Sequence, residues 1–242
     1  MSLPPDHFGP GVAERYDSDH STMFPAETVA RTVDVLADLA AGRPALELAI
    51  GTGRVGLPLS GAGIEVHGID LSQAMVDQLR VKPGGDAIPV AIGDMAHLRV
   101  PGEFGLVYLV FNTIGNLASQ DEQVACFQNA AAHLVPGGVF VIEVGVPPLR
   151  RLSPGDSHHV FDFSAAHVGV DEIDPVDQGL ISHHWSPHDG WVSFPFRYVW
   201  PAELDLMARI AGLRLRERWA DWDRSAFTAD SEKHVSVWER VA

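Results

Sequence analysis

The sequence predicts an α/β fold with a doubly wound, mostly parallel sheet and an antiparallel β insertion. Three observations support this prediction. Short apolar runs alternate with helix-compatible segments from about residue 45 to 144, and a glycine-rich turn directly follows the first run. Residues 157–200 instead contain extended segments separated by Asp, Pro and Gly. The 242 residues, 46% of them hydrophobic, suffice for one large or two small domains with a full core.

The strands of the first part are predicted from apolar runs rich in Val, Ile and Leu. They are residues 45–50, 64–69, 87–92, 106–111 and 139–144. Helices are predicted where apolar residues recur at helical spacing, over 25–40, 72–79 and 120–134. Ser72 is suited to cap the second of these helices, and Pro136-Gly137-Gly138 is expected to end the third. Alternating strands and helices predict a sheet covered on both faces.

The second part predicts an antiparallel insertion and a return to the core sheet. In the insertion, apolar and aromatic residues alternate and should share one face of a strand. They are Val192, Phe194, Phe196, Tyr198 and Trp200. A helix over 201–213 and strands near 213–219 and 234–241 follow. We therefore expect a single domain, 1–242, in which 12–148 bind the cofactor, 157–200 form a substrate-binding or dimerisation insertion, and 201–242 complete the sheet.

Charge and cysteine content narrow the possible partners. Lys and Arg total 17 against 32 Asp and Glu, a formal net charge of −15, which argues against nucleic acid or an anionic membrane as the main partner. A small neutral or cationic ligand fits better. The single cysteine, Cys126, permits no internal disulfide. Because residues 1–12 also lack the features of a signal peptide, we expect a cytoplasmic location.

The glycine-rich turn predicts a nucleotide site. Gly51, Gly53 and Gly56 follow the first strand in a G-x-G-x-x-G pattern, which lets a ligand approach the backbone and the start of a helix. The pattern alone is weak, because the same glycines fit a tight turn without a ligand. Which nucleotide-bearing cofactor it would hold depends on the neighbouring residues.

Three acidic residues surround the predicted site. Glu47 lies on the first strand, Asp70 closes the second, and Asp94 closes the third. Each is about one strand-loop-helix unit from the next, so all three should reach the edge of the sheet where open α/β sheets bind ligands. Individually, each also fits a solvated loop carboxylate or a helix cap. Together they favour a ligand with hydroxyl and ammonium donors and disfavour a pyrophosphate.

These motifs, in this order, resemble the class I S-adenosylmethionine-dependent methyltransferases. The resemblance is carried by E-L-A-I-G-T-G, G-I-D-L-S, I-G-D-M, F-N-T-I-G-N-L and L-V-P-G-G, and covers about residues 12–145. It implies a Rossmann-like sheet of seven strands with the last antiparallel, and S-adenosyl-L-methionine as cofactor. The insertion after the fifth strand resembles the layout of small-molecule enzymes that methylate amino sugars and other natural products.

The resemblance also implies roles for individual residues. Glu47 would shape the pocket for the methionine part, Asp70 would bind the ribose hydroxyls, and Asp94 would meet the adenine. Asn112 would lie near the methionine end, and Tyr16 would close over the donor. The implied cofactor-binding set is Tyr16, Glu47, Ala49, Gly51, Thr52, Gly53, Asp70, Leu71, Asp94, Met95, Phe111 and Asn112. Ala49 departs from the family, which usually has glycine at this position.

The histidines of the insertion leave several interpretations open. Adjacent His183 and His184 should point to opposite faces of a strand and cannot readily share a metal ion, so no metal is predicted. His184 is the candidate general base, and Tyr16 is a second catalytic candidate. Plain surface or packing roles for these histidines remain open.

The predicted reaction is methyl transfer from S-adenosyl-L-methionine to an N or O atom of a small-molecule acceptor, by a possible homodimer. An NAD(P)-dependent oxidoreductase is the first alternative, although it does not explain Glu47 or the Gly93-Asp94-Met95 element. A non-catalytic subunit that keeps the cofactor fold as a binding module is the second.

Overall fold

The computed structural model describes residues 8–19, 25–188 and 190–241. Residues 1–7, on which the expectation of no signal peptide partly rests, lie outside these ranges. The helices are α1 (Pro10–Asp19), α2 (Ala26–Ala40), α3 (Gly56–Gly61), α4 (Gln73–Arg80), α5 (Gln120–His133) and α6 (Pro201–Ile210), with short 3-10 turns η1 (Gly85–Ala87), η2 (Thr113–Asn116) and η3 (Pro148–Arg151). Within the described ranges, no helix has the length and apolar character needed to cross a membrane.

The strands of the described residues form two sheets. They are β1 (Ala45–Leu48), β2 (Val66–Asp70), β3 (Val90–Ile92), β4 (Phe104–Leu109), β5 (Leu134–Gly145), β6 (His158–Phe163), β7 (Val168–Asp174), β8 (Gly179–Ser186), β9 (Gly190–Arg197), β10 (Leu213–Trp219) and β11 (Lys233–Arg240). The core sheet has the order β10-β11-β5-β4-β1-β2-β3, and the insertion sheet has the order β6-β7-β8-β9.

The core sheet confirms the predicted fold class. β1 to β5 run parallel, and β11 inserts antiparallel between β5 and β10. The chain builds outward from β1 through β2 to β3 and then crosses to β4 on the other side of β1. The strand order therefore reverses beside β1, and open α/β sheets bind ligands at the carboxyl ends of the strands next to such a reversal.

Apolar layers cover both faces of the core sheet. On one side, Phe127 of α5 packs with Phe140 and with Leu204 of α6. On the other, Leu36 of α2 and Leu59 of α3 belong to a second buried cluster with the β1 and β4 side chains. Both strand faces are buried, which explains why these strands read as continuous apolar runs.

Several predicted boundaries were wrong. The long helix ends at His133 and not at Pro136-Gly137-Gly138, because Leu134 adopts extended dihedrals and already pairs with Phe104, so those three residues lie in β5. The first strand stops at Leu48, because the following residue has a positive φ. The helix predicted to reach residue 213 ends at Ile210.

The antiparallel insertion was predicted correctly, but its last strand is shorter than expected. β9 ends at Arg197, so Tyr198 and Trp200 do not continue the alternating face. The Tyr198 N–H donates to the Gln178 carbonyl, and Trp200 is the N-cap of α6. Ser72 caps α4 as expected, because its hydroxyl oxygen accepts the N–H of Met75 at 3.2 Å.

Candidate active site

The glycine turn joins β1 to α3 through several residues in the left-handed region. Ala49, Gly51 and Gly53 have φ values of 56°, 57° and 78°. Glycine adopts this backbone at little cost, whereas alanine is strained there, which is the physical reason for the family's usual glycine at position 49. The turn also packs closely on α4, because a β-carbon added at Gly53 would lie 2.2 Å from Leu79 Cδ1.

Asp70 ties the glycine turn to the end of β2. One carboxylate oxygen accepts the Gly51 N–H at 2.6 Å, and the other accepts the Ser72 N–H at 2.8 Å. Burial raises the pKa of Asp70, and the backbone N–H groups of Ser72 and Gly51 oppose this shift. Each oxygen keeps acceptor capacity for a further donor, such as a hydroxyl.

The third predicted acid lies beside Asp70. The Gly93 N–H donates to the Asp70 carbonyl at 2.8 Å, which brings the end of β3 against the end of β2. Asp94 in turn accepts the Ala96 N–H at 2.8 Å. Met95 is buried, whereas Leu71 is 70% exposed. The exposed apolar side chain of Leu71, next to acidic residues, is suited to pack against a flat aromatic ring.

Glu47 is almost fully buried at the base of the turn. Its Oε2 accepts the Tyr108 hydroxyl at 2.9 Å, and the Gly56 N–H also bonds the carboxyl group. Burial and the nearby charge of Asp70 raise the pKa of Glu47 to about 8, against the effect of the Tyr108 hydrogen bond. The group is therefore mostly protonated at neutral pH until a positive charge approaches it.

Helix α1 lies on the glycine turn. The Thr52 hydroxyl donates to Asp17 at 2.7 Å, and Lys82 donates to the Thr52 carbonyl at 2.7 Å and to Asp17. Burial raises the pKa of Asp17, but the hydrogen bonds from Lys82 and Thr52 outweigh it and leave the pKa below its ordinary value. Burial also raises the pKa of Tyr16, so this phenol stays neutral.

A cleft opens between α1, the glycine turn and the end of β4. Its lining residues are Tyr16, Glu47, Ala49, Ile50, Gly51, Thr52, Arg54, Val55, Val110, Phe111 and Thr113. The Arg54 guanidinium lies 5.2 Å from the Tyr16 ring centroid and 5.5 Å from that of Phe111. Sequence reasoning missed Arg54, because it occupies a variable position of the glycine pattern.

The end of β4 holds two consecutive non-glycine residues with positive φ. Phe111 has φ 59° and Asn112 has φ 60°; this conformation costs a residue such as phenylalanine about 1–2 kcal/mol, whereas asparagine adopts it more readily. The Asn112 side chain accepts the Gly145 N–H at 2.6 Å. The Phe111 N–H donates to the Glu143 carboxylate at 3.4 Å. β5 therefore holds this strained turn beside the cleft.

Glu143 is a second residue that sequence reasoning missed. It is buried on β5, and Lys233 of β11 lies 3.4 Å from its carboxylate. Burial raises the pKa of Glu143, and the positive charge of Lys233 opposes that shift. The sequence does indicate that this residue has partners, because burying an acidic side chain within the apolar run VFVIEV costs free energy unless its carboxylate is paired.

The structure thus brings the predicted cofactor residues together and separates one predicted catalytic residue from them. Tyr16 lines the cleft. His184 is not among the cleft-lining residues; it lies on β8, and its ring contacts His167 and Phe194. The adjacent His183 contacts Ser193 and Glu172, so the two imidazoles point to opposite faces as expected.

Comparison with known proteins identifies the family. A methyltransferase domain model matches residues 45–138. The solved CcbJ methyltransferase from Streptomyces caelestis is 37% identical, covers 99% of this chain and 100% of its own, and superposes with a TM-score of 0.84. The cypemycin N-terminal methyltransferase from a Streptomyces species is 27% identical over 98% of both chains. A Streptomyces fradiae dTDP-3-amino-3,6-dideoxy-α-D-glucopyranose N,N-dimethyltransferase is 36% identical over 40% of this chain and 38% of its own.

The chain belongs to the class I S-adenosylmethionine-dependent methyltransferase family. It is a methyltransferase with S-adenosyl-L-methionine as methyl donor, which confirms the predicted enzyme class and cofactor. These relatives do not favour the oxidoreductase or the non-catalytic alternative. The buried carboxyl groups of the site fit this cofactor, because they can accept hydrogen bonds from its hydroxyl and ammonium groups.

Proposed function

We propose that this enzyme methylates an amine nitrogen of a small molecule. The observation that carries the proposal is the match, over 98% of both chains, to a relative named as an N-terminal methyltransferase, since an N-terminus is an amine. The partial match to a sugar N,N-dimethyltransferase supports the same acceptor atom. A formal net charge of −15 also favours an acceptor that arrives as a cation.

We infer the following roles in donor binding. Asp70 binds the ribose hydroxyls, and Asp94, with Leu71 and Met95, meets the adenine. The backbone of Gly51, Thr52 and Gly53, with Ala49, shapes the methionine pocket. Glu47 receives the ammonium group, since its buried carboxyl gains most from a positive partner. Arg54 receives the carboxylate, because it contributes a guanidinium to a cleft whose other lining residues are acidic, polar or apolar.

When bound, S-adenosyl-L-methionine supplies a methyl group on a positively charged sulfur. The protein must then align the acceptor nitrogen with that methyl group and keep water away. The rings of Tyr16 and Phe111 both lie within 6 Å of the Arg54 guanidinium, at 5.2 Å and 5.5 Å. We propose that Tyr16 covers the methyl group and that Asn112, held by Gly145, fixes the edge of the acceptor pocket.

The insertion, 157–200, is the proposed source of acceptor contacts, with 12–148 as the cofactor-binding part and 201–242 completing the sheet. We further propose that the enzyme acts in the cytoplasm, in keeping with its single buried thiol. Formation of a homodimer stays a prediction, to be checked by sedimentation.

The test is an acceptor panel with isotopically labelled S-adenosylmethionine. The panel contains a nucleotide-linked amino sugar, a free amino sugar, a short peptide with a free N-terminus, and the hydroxyl analogue of the first. Mass spectrometry should find the label on an amine nitrogen, with the hydroxyl analogue unmodified. Label on the hydroxyl analogue alone would overturn the nitrogen assignment.

A further inference from the structure

One face of the insertion sheet carries a row of apolar side chains that crosses all four strands. The strand pairing sets Phe163, Val168, Trp185 and Trp191 side by side, and residues directly opposite each other in an antiparallel pair point to the same face. We call this face the outer face. Phe163 is 83% exposed and Trp191 is 61% exposed. Large apolar side chains that share one solvent-exposed surface are typical of an interaction site.

Two further rows extend the apolar character of the outer face. Val160 pairs with Val170 in the second row, and Ile181 pairs with Pro195 in the third. Val160 is 55% exposed. The register of β6 shifts just after Val160, which places Val160 and Phe163 on the same face although they are three residues apart. The outer face is therefore apolar over most of its width.

Charge favours a second copy of the chain over other occupants of the outer face. Among the described residues of its three rows, Glu172 is the one acid, and His183 Nε2 lies 3.4 Å from its carboxylate. The formal net charge of −15 disfavours an anionic lipid surface, and a cationic partner would find few acids here to pair with. A second outer face carries equally little charge, so two copies can meet there without bringing like charges together.

The size of the outer face also suits a second copy. Four strands about 4.8 Å apart and three rows about 7 Å apart give it a span of roughly 20 by 20 Å. Because its side chains stand out from the sheet, two stacked copies would bury on the order of 1,000 to 1,200 Å² of accessible surface, the size at which specific interfaces begin. The area therefore suffices for a reversible dimer.

We propose that the outer face docks a second copy of this chain, with the two insertion sheets stacked face to face about a two-fold axis. Sheets packed in this way lie about 10 Å apart, with their strands within about 30° of each other. A two-fold contact uses the same patch on both copies, so the row from Phe163 to Trp191 of each copy packs on the outer face of the other. This contact would form the predicted homodimer, and it does not depend on which acceptor is methylated.

Each copy keeps its own donor site in this arrangement. The cleft-lining residues run from Tyr16 to Thr113, whereas the outer face lies on β6 to β9. The opposite face of the insertion sheet carries Phe196, whose Cβ would lie 3.8 Å from a β-carbon added at Gly115 of η2. The dimer contact and the proposed acceptor contacts would therefore use opposite faces of the same sheet.

The test measures the mass of the purified protein by sedimentation over about 1 to 100 μM, where the wild type should shift from monomer to dimer. Phe163→Glu and Trp191→Glu should each weaken association about 10-fold or more, because the dimer would then bury a carboxylate against an apolar face. Val176→Glu, in the turn before β8, adds the same charge at an 85% exposed position off the face and should dimerise as the wild type does. A wild type that stays monomeric throughout, or an assembly of any size that both charged variants leave intact, would overturn the proposal.

A mixing experiment shows whether the outer face meets another outer face. Trp191→Glu and Trp191→Lys should each be mostly monomeric alone, and an equal mixture should associate more strongly than either, because opposite charges then face each other. A mixture as dissociated as the separate variants would mean that the outer face meets a different surface, which contradicts the face-to-face contact. Calorimetry with S-adenosylhomocysteine should give the same donor affinity in every variant, which separates lost association from lost folding.

Discussion

The carboxyl edge of the core sheet and the insertion sheet hold their acidic groups differently. At the core edge, Asp70 is fixed by backbone N–H groups of its own loop and of the glycine turn. On the insertion, Asp162 and Glu172 are held by side chains: His167 Nδ1 lies 2.7 Å from Asp162 Oδ2, and His183 Nε2 lies 3.4 Å from Glu172 Oε2. An acid held by backbone N–H groups keeps its place when neighbouring side chains change, whereas an acid held by a side chain loses its partner when that residue is replaced.

The largest effect is expected where the two regions join. Arg197, at the end of β9, donates to Gln123 of α5 at 2.5 Å and to Glu203 of α6 at 2.7 Å, and both ends of this ion pair are largely buried. Arg197→Met should lower the free energy of unfolding by about 3 kcal/mol, because it removes the cationic partner of the largely buried Glu203 carboxylate and leaves it only the amide donors of Gln120 and Gln178. Urea denaturation would measure this loss, with the exposed Arg209→Met as control.

The same variant also shows whether the two regions are independent. If the core edge stands on its own, the folded fraction of Arg197→Met should bind S-adenosylhomocysteine with wild-type affinity while the wild-type ring NMR signals of His167 and His184 are lost. Equal loss of both would mean that the two regions form one cooperative unit. A change below about 1 kcal/mol would show that the joint depends on other contacts.

The next largest effect is a loss of ligand affinity at the carboxyl edge of the core sheet. Asp70→Ala should weaken binding of S-adenosylhomocysteine by about 1–3 kcal/mol, because it removes acceptors for two hydroxyls and frees the Gly51 N–H. Titration calorimetry would give the affinity, and Asp86→Ala, an exposed change in η1, provides the control. Unchanged affinity in Asp70→Ala would remove this residue from the donor site.

Glu47 predicts a pH dependence of donor binding. In the free protein its pKa is raised to about 8, and a bound ammonium group would lower it by favouring the carboxylate. Binding below about pH 8 should therefore release a proton, and affinity should rise with pH by up to about tenfold per unit and then level off. Calorimetry in buffers of different ionisation enthalpy counts this proton. Glu47→Gln should bind with no proton release; the same release in that variant would point to another group.

The smallest expected effect is a gain in stability at the glycine turn. Ala49 has φ 56°, which glycine adopts without the steric cost that alanine bears. Ala49→Gly should raise the free energy of unfolding by about 0.5–1 kcal/mol, measured by thermal denaturation. Ala62→Gly, at a position with φ −79°, is the matched control and should destabilise slightly. A loss of stability in Ala49→Gly would mean that the Ala49 methyl group contributes packing that outweighs its strain.

The two regions also differ in how far the sequence predicts them. Glu47, Asp70 and Asp94 could be placed at one edge because each follows a strand at a regular spacing, and parallel strands bring their ends together. Arg54 and Glu143 could not, since their roles depend on which way a side chain turns. The contacts of His167 with Asp162 and His184 depend on the register of β6 to β8 and on an irregularity between Val160 and Asp162. A shift of one residue would send these side chains to the other face.

The position of β11 has a consequence for how the chain folds. β10 precedes β11 in the sequence but joins the core sheet only through it, because β11 lies between β5 and β10. During synthesis, Leu213–Trp219 therefore has no sheet partner until Lys233–Arg240 has emerged, and β5 is an open edge in the meantime. Such a late, long-range pairing slows folding and exposes a strand edge to other chains. The yield of native enzyme should thus depend on how quickly this strand finds its place, more than on the local propensities of the segments made before it.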